Sequence, residues 1–232
     1  MYLFVDLSDV LIHGMYDMDD VVHYRFGSEI AQKFRERHED PEVWNTLQDL
    51  FRGRMTEEEY WKYFIGNEYW PEYVTPKIFE FALESNLKKR VTGTADILSN
   101  IKGYTMNGVV TNSIPIMVLV SDHIKERIPE IMRNHPDILG LFDYTYWSCD
   151  LGMIKQDPDY FNHICNLVDT RPCEVTYIDD CEGNLEAAKM AGIKDTILFQ
   201  NPARLQTALE SRGFIFANAK QQQNKDLKFA TA

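Results

Sequence analysis

The chain has 232 residues, 44% of them hydrophobic and 26% charged, with a formal net charge of -12. That length supports one large domain, or a core interrupted by a second domain. The acidic balance argues against a nucleic-acid partner, yet a small phosphorylated ligand stays compatible, because a local lysine and a cation reverse the field within one cleft.

The first apolar run, residues 2–5, reads as a strand buried on both faces, and it ends on Asp6. A carboxylate at the tip of such a strand is costly unless something compensates it. From 13 to 92 no buried strand is expected; helices are predicted near 27–38, 41–52, 56–66 and 75–87, with Thr56-Glu-Glu-Glu59 as a helix start. The aromatics there (Trp44, Tyr60, Trp61, Tyr63, Phe64, Tyr69, Trp70) are expected to form mostly the insert's own small core, the alternative being that one or two face a substrate. Gly14, Tyr16 and Asp17 read first as linkers, within reach of a cleft. Strands at 107–111, 175–178 and 195–199 then alternate with helices at 94–102, 114–133, 157–169, 182–191 and 202–212. This pattern predicts an α/β fold: a doubly wound parallel sheet, Rossmann-like, with an inserted all-helical cap domain. The expected division is a discontinuous core, 1–12 and 93–220, a helical cap, 13–92, and a polar, frayed C-terminal tail, 221–232. The connections at 12–16 and 90–94 are the expected hinges for cap closure.

No apolar run reaches the length of a membrane span, and no basic-then-apolar leader precedes a cleavage site, so no membrane partner and a cytoplasmic location are expected. The four cysteines form no Cys-x-x-Cys pair and are expected to be reduced thiols.

In a doubly wound sheet, ligands bind beyond the carboxyl ends of the strands. Asp6, Thr111, Lys155 and the pair Asp179-Asp180 all follow apolar runs, so topology predicts that they converge. Asp6 is the candidate nucleophile and metal ligand, and Asp180, with Asp179 through water, the second carboxylate. Adjacent buried acids repel without a cation, and hard oxygen ligands favour Mg²⁺. Lys155 would offset that repulsion and contact a phosphate. The Thr111 hydroxyl and the N–H groups of Asn112 and Ser113 would bind the anion at a helix start. Asn184, one turn into the next helix, would orient the acidic pair.

These segments resemble the four signature motifs of the haloacid dehalogenase-like hydrolase superfamily. Asp6-Leu-Ser-Asp-Val10 is similar to the nucleophile motif and to the Asp-Leu-x-Asn-Val pattern of the small-cap, sugar-phosphate phosphatase subgroup. Gly108–Ser113 resembles the strand ending in Ser/Thr. Leu151-Gly-Met-Ile-Lys155 resembles the lysine motif, with Gln156 where proline is usual. Ile178-Asp-Asp180 with Asn184 resembles the acidic motif. The resemblance implies an Mg²⁺-dependent hydrolase of small phosphorylated metabolites, sugar phosphates among them. It works through an aspartyl-phosphate on Asp6, and the Ser8 backbone carbonyl also ligates the metal.

One departure matters. Most phosphatases of that superfamily carry an acid/base aspartate where this chain has Ser8. Its loss typically costs about 10²–10⁴-fold in rate, which implies a slow or narrowly specific enzyme. A metal-independent 2-haloacid-type dehalogenase and a catalytically weak phosphate-binding or interaction protein stay open as alternatives. The expected partner is a small phosphorylated metabolite, with the chain a monomer or homodimer.

Overall fold

A computed structural model describes residues 1–15, 18–66, 70–106 and 108–217. Strand β1 (Tyr2–Val5) is followed by five helices: α1 (Met18–Phe26), α2 (Ser28–His38), α3 (Pro41–Phe51), α4 (Glu57–Ile65) and α5 (Pro76–Leu87). Then come α6 (Thr94–Ser99), β2 (Ile101–Met106), β3 (Val109–Thr111), β4 (Ile116–Ser121), α7 (Ile128–Asn134), α8 (Pro136–Leu139) and β5 (Tyr144–Trp147). The chain continues through α9 (Ser148–Leu151), α10 (Tyr160–Leu167), β6 (Val175–Asp179), α11 (Glu182–Met190), β7 (Asp195–Leu198), α12 (Pro202–Ser211) and β8 (Phe214–Phe216). Tyr16, Asp17, Tyr69 and the tail 221–232 lie outside the described residues.

The main sheet is five-stranded and parallel, in the order β5-β4-β1-β6-β7. Alternation along β1 sends Leu3 and Val5 to one face and Phe4 to the other, and each face has its own apolar layer. Phe4, Val118, Val120 and Tyr177 pack against α10 and α11 through Phe161, Ile164 and Leu185. On the opposite face Leu3, Val5, Leu119 and Ile178 join Leu98, Leu205 and Leu209. The same apolar layer runs on into the helical insert through Leu11, Ile12 and Leu87. It ends among Phe34, Trp61, Phe64 and Phe79, whose rings pack edge-on and stacked. The α4 start is set by Thr56, whose hydroxyl accepts the Glu59 N–H while the Glu59 carboxylate accepts the Thr56 N–H.

One stretch folds otherwise than its composition predicts. Residues 107–111, expected as a buried parallel strand, instead contain β3, an edge strand of a separate antiparallel sheet ordered β3-β2-β8, with Val109 65% and Val110 64% exposed. The expected helix at 114–133 contains β4, and only its second half is helical. Pro115 immediately precedes β4, a position where the missing N–H disturbs no ladder bond. The continuous run Ile116–Val120 then fills the central sheet beside β1.

Two crossings join the insert to the sheet, and they bond to each other. The Val91 N–H donates to Leu11 O at 2.9 Å and the His13 N–H to Lys89 O at 3.1 Å. Further out, Arg52 at the end of α3 forks onto Asp157, and Arg127 forks onto the buried Glu57 of α4. No helix among the described residues is long and apolar enough to cross a membrane.

Candidate active site

The pairing of β1 with β6 carries on into Asp6, whose N–H donates to Ile178 O at 3.0 Å. The chain then turns sharply. Asp9 takes a left-handed conformation (φ 57°), one that aspartate tolerates better than most residues, and its Oδ1 accepts the Gly14 N–H at 2.7 Å. A Cβ on Gly14 would lie 2.8 Å from both Asp9 Oδ2 and Ser8 Cβ, so only glycine closes this turn. The buried Asn86 amide of α5 donates to Gly14 O, which anchors the turn to the insert.

Lys155 reaches the site by a different route. After α9 the chain turns at Gly152 (φ 71°), and Asp157 Oδ2 accepts the Ile154 N–H at 2.9 Å. The Lys155 N–H then meets both oxygens of Asp122, at 3.1 and 3.3 Å. Its side chain is buried, with Nζ 2.5 Å from Asp6 Oδ1 and 2.9 Å from Asp179 Oδ2.

Asp179, at the end of β6, is fully buried and saturated with donors. Lys155 Nζ and the Tyr177 hydroxyl meet Oδ2, the Cys181 N–H meets Oδ1 at 2.8 Å, and the Asn184 amide lies 3.2 Å from both oxygens. Asp180, half-buried, lines the cleft beside Asp6. One carboxylate oxygen from each of Asp6, Asp179 and Asp180 falls within 4.8 Å of the others.

The electrostatics follow from this crowding. Burial pushes the Asp6 carboxyl well above its ordinary range; Lys155 opposes the shift, while Asp179 and Asp180 add to it. Burial alone would lower the Lys155 pKa, but Asp179, Asp6 and Asp122 together hold the ammonium well above its usual value. Burial also pushes Asp122 up to about 7 against the pull of Lys155. Four carboxyl groups therefore crowd one ammonium. Asp6 Oδ1 is buried, and its close partner is the Lys155 ammonium at 2.5 Å. An oxygen-rich, net-negative cluster fits a hard divalent cation, which Asp6 and Asp180 could hold, with the Ser8 carbonyl as the further ligand expected from the sequence. Asp179, with both oxygens engaged by protein donors, is placed to fix Lys155 and Asn184.

Asp6, Ser8, Lys155, Asp180 and Asn184 line a single cleft, with Asp179 buried directly behind them. Thr111 and Asn112 do not belong to it. Thr111 ends the edge strand of the small sheet, its hydroxyl donating to Tyr104 O at 2.9 Å, and Asn112 follows it there. The carboxyl end of β4 takes their place, with Asp122 and His123 lining the cleft directly after the buried Ser121. Ser121 is fully buried and its hydroxyl has no hydrogen-bond partner. The missed signal was the unbroken run Ile116-Met-Val-Leu-Val120 ending on Ser-Asp, a stronger buried-strand pattern than Val109-Val110-Thr111. Over the cleft, the insert contributes Trp44, Gln48 and Phe51 from α3 and Leu83 and Leu87 from α5.

A family model described as haloacid dehalogenase-like hydrolase matches residues 2–192. Bifunctional epoxide hydrolase 2 of Mus musculus is 30% identical over 134 residues, 58% of this chain but 23% of that protein. Its Rattus norvegicus counterpart is 35% identical over 69 residues, 30% of this chain and 12% of that protein. The chain thus matches less than a quarter of the length of these relatives.

Among solved structures, a HAD family enzyme of Bacteroides thetaiotaomicron in complex with magnesium and inorganic phosphate superposes with a TM-score of 0.56 at 18% identity, covering 86% of this chain and 94% of that one. A putative HAD-hydrolase of Bacillus subtilis bound to magnesium gives 0.64 at 13%, covering 90% and 98%. L-2-haloacid dehalogenase of Xanthobacter autotrophicus with covalently bound chloropropionic acid gives 0.57 at 13%, covering 90% and 82%. Similarity at this level of identity speaks to the fold alone.

Proposed function

This chain belongs to the haloacid dehalogenase-like hydrolase family, and we propose that within it the protein is a Mg²⁺-dependent phosphomonoesterase acting through a phosphoryl-aspartate on Asp6. The observation that carries this reading is the cluster of Asp6, Asp179 and Asp180 around the buried ammonium of Lys155. Such a surplus of carboxylates suits a cation and a dianionic phosphoryl group, whereas dehalogenation needs no metal and would gain nothing from it.

When bound, magnesium would screen the phosphoryl oxygens from the attacking carboxylate. The remaining work falls to the chain. Asp6, at the rigid end of a central strand, presents an oxygen to phosphorus in a fixed geometry. The Lys155 ammonium, locked by Asp179, favours the ionised form of Asp6 against the burial that disfavours it, and meets the phosphate charge. The partnerless Ser121 hydroxyl is available to a phosphoryl oxygen, the role first expected of Thr111. Trp44, Phe51, Leu83 and Leu87 exclude water around the ester.

The fold and family also accommodate the dehalogenase reading, and one pair of assays separates the two. Release of phosphate from an aryl phosphate that requires Mg²⁺ and is lost in Asp6→Asn supports the phosphatase. Halide release from 2-chloropropionate in chelator, with no phosphate release under any condition, would overturn it.

A further inference from the structure

With Ser8 at the usual acid/base position, the cleft must obtain its proton donor elsewhere if it hydrolyses esters of ordinary alcohols. Besides Asp6, Asp180 and the ion-paired Lys155, the cleft is lined by the hydroxyl of Ser8, the thiol of Cys181, and the carboxyl and imidazole groups of Asp9, Asp122 and His123, two of which are disqualified by what they bond. The Ser8 hydroxyl is too weak an acid. Asp9 is turned into its own loop, its Oδ1 held by the Gly14 N–H in a left-handed turn. His123 accepts the Ile124 N–H on Nδ1 at 2.9 Å, so that nitrogen carries no proton, and burial with no carboxylate partner keeps the ring neutral.

Asp122 remains. It lines the same cleft as Asp6 and Ser8, at the end of the strand adjacent to β1. The parallel register pairs Tyr2 with Ile116 and Val5 with Leu119, so the two strands end side by side, and Ser8 and Asp122 both line the cleft beyond them. The Asp122 carboxyl bonds the Lys155 backbone N–H, a single neutral donor shared between its two oxygens. That is little compensation for a charge in this position, where burial disfavours the ionised form and only the Lys155 ammonium favours it strongly. The charged groups around it are Lys155 and Asp157 from the loop after α9, Asp179 from β6 and Asp6 from β1, with the neutral His123 next in the chain. Burial first, with Asp179 and Asp157 adding to it and Lys155 opposing, brings this carboxyl up to about 7, in the range suited to proton exchange at neutral pH.

We propose that Asp122 is the catalytic acid and base of this enzyme, supplying from β4 the carboxyl that Ser8 lacks on β1. In the first half-reaction an Asp6 oxygen bonds to phosphorus and the bond from phosphorus to the ester oxygen breaks. The departing oxygen keeps that electron pair and takes the Asp122 proton. In the second, a water oxygen bonds to phosphorus and passes one proton to the Asp122 carboxylate. The bond from phosphorus to Asp6 breaks and its pair returns to the Asp6 carboxylate. The sum is ester plus water giving alcohol plus phosphate, with both aspartates restored.

This assignment rests on the phosphatase reading, and the test separates the two. The variant Asp122→Asn keeps an oxygen for the Lys155 N–H but has no exchangeable carboxyl proton. It is compared with wild type on an alkyl phosphate, whose leaving group needs a proton, and on p-nitrophenyl phosphate, whose leaving group does not. The expected result is a loss of about 10²–10⁴-fold in kcat/KM on the alkyl ester, a much smaller loss on the aryl ester, and phosphoenzyme that accumulates on the aryl ester because water is no longer activated. Restoration of alkyl-ester turnover in the double variant Ser8→Asp/Asp122→Asn supports the same conclusion, since it moves the carboxyl to the neighbouring strand. Equal losses on the two esters, or none, would overturn the role of Asp122 while leaving the phosphatase intact. No turnover of either ester by wild type with Mg²⁺ would overturn both.

Discussion

Lys155 is the residue on which the site depends most heavily, because among the described residues it is the buried ammonium that Asp6, Asp122 and Asp179 share. Truncating it in Lys155→Met leaves two buried carboxylates without a counter-charge, and removing one member of a buried pair costs about 3–5 kcal/mol. Urea unfolding of that variant should show such a loss in the absence of magnesium; an unchanged midpoint would mean that the acids are not buried together. Asp6→Asn should do the reverse. It removes a carboxylate whose charge is disfavoured by burial and by Asp179 and Asp180, so the metal-free variant should melt no lower than wild type while losing turnover. His38 supplies a pH test away from the site. Burial against Phe34 and Phe64 pushes its pKa down to about 4. The unfolded chain therefore binds the extra proton first, so stability from this group is complete above about 6.5 and is lost as pH falls towards 4. The ring retains some solvent contact, so wild type should lose about 1–2 kcal/mol more than His38→Gln between pH 7 and 5. Parallel stability curves would contradict this. At this scale much was legible: an acid at the tip of an apolar strand had to find compensation, and Lys155 stands there. The saturation of Asp179 by Tyr177, Cys181 and Asn184 was not legible, because it depends on side-chain directions that spacing does not fix.

Among the elements, β1, β6, β7 and most helices follow directly from hydrophobic period and capping, as at Thr56. The exchange of β3 for β4 shows where that logic fails. Both stretches are short, β-branched and followed by a polar group, and only tertiary pairing decides which becomes central. Thr111 and Asn112 were misplaced for that reason, and Ser121, Asp122 and His123 overlooked with them. The contacts between insert and sheet are likewise invisible in sequence, since Arg127 and Glu57 are 70 residues apart. Glu57 is buried and accepts from Trp61 as well as from both arms of Arg127. Arg127→Met should therefore destabilise the protein by about 3 kcal/mol or more, and a second change, Glu57→Leu, should recover much of it. If the two losses simply add, the pair does not couple insert to sheet.

For the molecule as a whole, the doubly wound sheet gathers chain ends from residues 6, 122, 155 and 180 into one cleft, with α3 and α5 of the insert overhead. Because the carboxylate cluster is complete only in the folded chain, magnesium should stabilise the native state. At 100 times its dissociation constant the gain is about 2.7 kcal/mol, read as a thermal shift that Asp180→Asn diminishes. A melting temperature indifferent to magnesium would deny the site its cation. The most direct measurement is of the covalent intermediate itself: wild-type protein mixed with aryl phosphate and magnesium, quenched in acid and mapped by peptide mass spectrometry. A phosphoryl group on Asp6, absent in chelator and in Asp6→Asn, is the predicted result. Phosphate released with no adduct on Asp6, or an adduct on another residue, would contradict the proposed chemistry.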